Sequence, residues 1–67
     1  MGTETEIYHT ANLLIEEYGE MAAPAAFIRA DQLFERGDMP GRKVWLRIAK
    51  VAEGLLSEQP PSGASIH

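Results

Sequence analysis

Cysteine is missing from all 67 residues, which removes disulfides and every thiolate metal site from the ways so short a chain can be held folded. Aromatic residues are scarce, with one Trp, two Tyr and two Phe. No apolar run approaches the roughly 18 residues of a membrane-spanning helix. The first twenty residues contain no Lys or Arg but five acids, Glu4, Glu6, Glu16, Glu17 and Glu20. A secretory leader carries cations in that region, and a myristoylation signal needs Ser or Thr where Glu6 stands. A chain without thiols also fits a reducing compartment. These absences lead to the expectation of a soluble, cytoplasmic protein.

What is present reads as helix. At this length about 60% of the surface can leave water on folding, so self-association is the remaining route to added stability, and a homodimer is the expected state. Thr3-Glu4-Thr5-Glu6 has the form of a capping box, in which a Thr side chain satisfies a free N–H three residues on. Ile7, Ala11, Leu14, Ile15 and Tyr18 then recur at offsets of 4, 7, 8 and 11, one stripe of a 3.6-residue period. The spacing predicts a first helix over 4–18, closed by Gly19 as a left-handed cap.

Pro24 is tolerated only in a first helical turn, which sets the second helix at 22–36. Its apolar set is Ala22, Ala26, Ala30 and Leu33, with Phe27 and Phe34 beside it, and Gly37 ends it. Asp38 is a good N-cap, and Pro40 falls among the unbonded N–H groups that follow. A third helix over 39–57, the longest, carries Val44, Trp45, Ile48, Val51, Ala52 and Leu55. Residues 58–67 include Pro60-Pro61-Ser62-Gly63 and lack periodicity, which reads as a disordered tail. The expected architecture is all-α, with one domain over 1–57. It is either a small three-helix bundle or a helical hairpin plus a third helix, because connections of a few residues favour antiparallel neighbours.

Few residues offer chemistry. Glu6 and His9 share the Glu-x-x-His spacing that places a carboxylate and an imidazole on one helix face in di-iron bundles. A metal-binding helical bundle, in which a symmetric dimer supplies the second pair, is one alternative reading, but it needs further inward carboxylates, so no metal or cofactor is assigned. With His9 and His67 as the only histidines, nucleophile and base pairs are lacking. Glu16, Glu17 and Glu20 would need a desolvating pocket to act as acids, so no enzymatic activity is expected.

Charge is uneven along the chain, whose formal net charge is −4. Arg42, Lys43, Arg47 and Lys50 cluster within the third helix. They follow a helix and a Gly-containing turn, the outline of a helix-turn-helix reader of nucleic acid. Acidic residues elsewhere repel phosphate, so nucleic-acid binding is the alternative rather than the first reading. The separated charges could also pair between the ends of one chain or of two copies. Trp45 is assigned to the core, with a partner-facing hot spot as the other possibility. Tyr8 and Leu46 fall off the main stripes. Exposure of Tyr8, Leu13 or Leu46 would mark a surface for a second subunit.

A pattern of early helix, Gly, Ala-rich helix, Gly-Asp turn and Trp-bearing helix runs from Ile7 to Leu56. It is carried by Ala11, Leu14-Ile15, Tyr18-Gly19-Glu20, Ala25-Ala26, Arg29-Ala30-Asp31, Leu33, Gly37-Asp38, Gly41, Val44-Trp45, Ile48 and Leu55. In these residues the chain resembles a group of short, chiefly proteobacterial, all-helical proteins of unknown function. Similar sequences often carry His where this one has Tyr18, and lack Pro24. The resemblance implies a bacterial, cytoplasmic, stand-alone helical domain and supplies no catalytic residues. Within it, Arg29 and Asp31 flank the core-facing Ala30 and are expected to pair across the turn, with Asp38 or with a Lys or Arg. The first functional expectation is a non-enzymatic protein–protein interaction or regulatory module, homodimeric and without membrane association.

Overall fold

The computed structural model describes residues 3–58; the expected tail, from residue 59 onward, lies outside the described residues, as does His67. The described residues form three α-helices and a short 3-10 turn: α1 (Glu4–Tyr18), the turn Gly19–Met21, α2 (Ala22–Glu35) and α3 (Met39–Glu58). No strand occurs among the described residues.

Two of the helices, α1 and α3, start where a side chain accepts from an unbonded N–H group. Thr3 is the N-cap of α1, and its Oγ1 accepts from the Glu6 N–H at 3.3 Å, satisfying one of the four N–H groups that a helix start leaves open. Glu4 and Glu6 lie in the first turn, where negative charge suits the helix dipole. Pro24 occupies the third position of α2, where a missing N–H costs no hydrogen bond.

The α2–α3 corner is a Schellman turn. The Gly37 N–H donates to the Phe34 carbonyl at 3.0 Å and the Asp38 N–H to the Leu33 carbonyl at 2.9 Å, a pattern that needs a left-handed residue at its centre. Gly37 supplies it with φ 82°. One residue later, Asp38 Oδ1 accepts from the Gly41 N–H at 3.0 Å and opens α3.

The first corner differs from the expected left-handed cap. Gly19 has positive φ, 58°, but ψ is −125°, and its N–H still donates to the Ile15 carbonyl. The chain then winds through the 3-10 turn straight into α2, with the Ala22 N–H donating to the Gly19 carbonyl. A tighter connection results because the helical bonding is re-aimed at Gly19 and resumed at once.

Helix directions follow from the contacts between ends. Arg42, early in α3, lies over Phe34, late in α2, while Ala23 and Pro24 adjoin Leu56 and Ser57, so α2 and α3 are antiparallel. Glu4 pairs with Arg47 and Glu20 lies near Ser57, which makes α1 run alongside α3 in the same sense.

The core is built largely of alanine. Ile7, Ala11, Ala22, Ala23, Ala26, Ala30, Leu33, Ile48, Ala49 and Ala52 are buried, and Leu14, Ile15, Val44, Trp45, Val51, Leu55 and Leu56 pack around the central cluster while keeping part of their surface in water. Small side chains let the helix backbones approach closely. The same feature limits the apolar area each residue removes from water, at roughly 0.8 kcal/mol per buried methylene. Tyr18, Phe27 and Phe34, placed on or beside the expected apolar stripes, are exposed. Phe27 and Phe34 flank the buried alanines of α2, whose small side chains let the helices meet before the rings can be enclosed.

Candidate functional site

Trp45 is neither a fully enclosed core residue nor a free surface ring. It is partly buried at the margin of the core, packed against the central cluster. One side of it meets α2, where the Arg29 guanidinium lies 6.0 Å from the ring centroid. Arg29 also donates to Gln32 Oε1 at 3.3 Å. Arg29 thus makes a cation–π contact and a bond along its own helix in place of the expected ion pair, while Asp38 caps α3. Beyond Trp45, a groove of about 300 Å³ opens between α1 and α3, lined by Glu6, Ile7, Thr10, Gly41, Val44, Trp45 and Ile48.

Tyr8 and Leu46 lie around Lys50. Tyr8 is exposed and borders a shallow groove with Lys50, Val51, Gly54 and Leu55. Leu46 is partly buried and shares a second depression with Lys43, Arg47 and Lys50. The methylene stems of such cations cover apolar surface while their charged ends stay in water.

The four cations of α3 do not share one environment. Arg42 is partly buried, and its guanidinium stands 5.1 Å from the Phe34 ring centroid, on the side facing α2. Lys43, Arg47 and Lys50 are exposed together, but Arg47 Nη2 lies 3.6 Å from Glu4 Oε2. Helix geometry separates Arg42 from the stripe, since residue 42 is one position from 43 and so about 100° around the helix. Lys43, Arg47 and Lys50 thus form an exposed row from which Arg42 is set apart.

No buried polar or charged side chain occurs among the described residues. No group of three or more His, Asp or Glu that could hold a metal occurs among them either. Glu6 and His9 both lie on exposed positions of α1. No helix among the described residues is long and apolar enough to cross a membrane.

The periodicity did not single out Met21, Ile28 and Met39, which join Tyr8, Leu13 and Phe34 as exposed large apolar side chains. Ile28 was readable from the sequence, because it stands two positions from the core residues Ala26 and Ala30 and therefore on the opposite face of α2. Compared with family models, with curated proteins and with solved structures, the chain matches none.

Proposed function

We propose that the chain is a non-enzymatic interaction or regulatory module that acts as a homodimer. One observation carries the reading. Among the described residues, seven of the ten buried core side chains are alanine, while Leu13, Ile28, Phe34 and Met39, on all three helices, remain 47%, 59%, 52% and 43% exposed. A single copy thus leaves many of its larger apolar groups in water and fills its core chiefly with small ones. Covering such groups is the usual role of a second protein surface.

The test is the state of the purified protein on dilution, followed by sedimentation equilibrium together with circular dichroism. A dimer that loses helicity as it dissociates supports the reading. A fully helical monomer at every concentration overturns it.

A further inference from the structure

We infer that the second copy docks through two complementary faces of each protomer. The Leu13 face of α1, flanked by Glu16 and Glu17, seats on the Leu46 face of α3, flanked by Lys43 and Lys50, and the contact repeats about a two-fold axis. The inference rests on the homodimer reading and adds where the copies meet.

On α1, Leu13 is 47% exposed. Glu16 and Glu17 follow it by three and four positions, the spacing of same-face neighbours, and both are exposed. On α3, Lys43 precedes Leu46 by three positions and Lys50 follows it by four. These residues and Arg47 line one shallow depression. No ion pair within the described residues engages Glu16, Glu17, Lys43 or Lys50.

Each face is an aliphatic group flanked by charge of a single sign. Two α1 faces brought together oppose Glu with Glu, and two α3 faces oppose Lys with Lys. Only the crossed pairing joins leucine to leucine with opposite charges around it, which selects partner and register together. The crossed pairing cannot form within one copy, because α1 and α3 already meet through Ile7, Ala11 and Ile48, which leaves Leu13 exposed and Leu46 half-buried beside its lysines. One chain carries both faces on neighbouring helices, so two copies satisfy both contacts at once and the assembly closes.

A charge-swap experiment tests this by sedimentation equilibrium, with circular dichroism to confirm helicity. Glu16→Lys plus Glu17→Lys, and separately Lys43→Glu plus Lys50→Glu, should each weaken self-association about a hundredfold or more. An equimolar mixture of the two variants should dimerise as the wild type does, since the mixed pair restores both contacts and carries the same total charge as two wild-type chains. A chain with all four reversals should dimerise on its own, which keeps the test valid if one double variant folds poorly. A wild-type monomer sinks the homodimer reading itself. A wild-type dimer whose affinity ignores the reversals, or variants that do not recover on mixing, overturns this interface and leaves the homodimer reading standing. Growth beyond a dimer overturns the two-fold closure.

Discussion

The Asp38 carboxylate caps α3 from the space that a side chain at Gly41 would fill. Asp38 Oδ1 accepts from the Gly41 N–H at 3.0 Å, and a Cβ built on Gly41 would lie 2.6 Å from Asp38 Oδ2. Two opposing terms meet in Gly41→Ala. Alanine gains about 1 kcal/mol of helix propensity over glycine, and displacing the cap loses about as much. The single substitution should leave stability within about 0.5 kcal/mol of wild type or lower it. In an Asp38→Ala background no carboxylate is displaced, and Gly41→Ala should raise stability by up to about 1 kcal/mol. Urea unfolding of the four chains reads the coupling, and equal effects of Gly41→Ala in both backgrounds would show that the cap and the glycine are independent.

Ala26 and Ala49 are fully enclosed in one cluster, where the helices approach at the distance set by methyl groups. Leucine at either position forces the backbones apart, at a cost of about 1 to 3 kcal/mol or more. Thermal unfolding checks this, and an unchanged midpoint for both variants would mean that slack space exists between the helices.

Trp45→Ala removes a partly buried ring and its contact with Arg29. A fully enclosed Trp costs about 3 to 5 kcal/mol on truncation. Partial exposure lowers the expected loss to about 2 to 3 kcal/mol, still a large share of the stability of so small a fold. The indole emission of the native protein should be intermediate between buried and free. A fully water-like spectrum combined with no change in stability would remove Trp45 from the core margin.

The Glu4–Arg47 contact joins α1 to α3 between side chains that are 80% and 59% exposed. Exposed pairs of this kind contribute little. Glu4→Gln should therefore shift the unfolding free energy by no more than about 0.5 kcal/mol, with the difference vanishing at high salt. A loss several times larger that survives molar salt would assign the pair a structural role.

If the native state is a dimer, its melting midpoint must rise with protein concentration, because association stabilises only folded chains by mass action. Differential scanning calorimetry over a hundredfold range of concentration reads this directly. A midpoint independent of concentration argues for a folded monomer.

Local chemistry made the helices legible in advance. Thr3 and Asp38 accept hydrogen bonds from N–H groups three residues ahead, Pro24 and Pro40 stand where a helix start needs no donor, and Gly37 takes the positive φ that its corner requires. Such signals act within a few residues of chain, so a one-dimensional pattern contains them. Ala22, Ala26, Ala30 and Leu33 were likewise readable as one buried stripe of α2, because their period is a property of that helix alone.

The site was less legible. Nearness in the chain grouped Arg42 with the other cations of α3, although helical spacing already sets it off the row of Lys43, Arg47 and Lys50; only the packed structure turns it onto Phe34 and ties Arg47 to Glu4. Gly19 was marked as a bend, but its ψ of −125° comes from the way α1 and α2 are joined.

Sequence by itself determined where the helices begin and end and which stripe of each is apolar, since caps, prolines and a 3.6-residue period are local. Tertiary structure alone decided that Trp45 stops at the margin of the core and that Ile28, Phe34 and several other large apolar groups stay in water. How deeply a side chain is buried depends on the separation of the helices, and that distance is set by both partners of every contact.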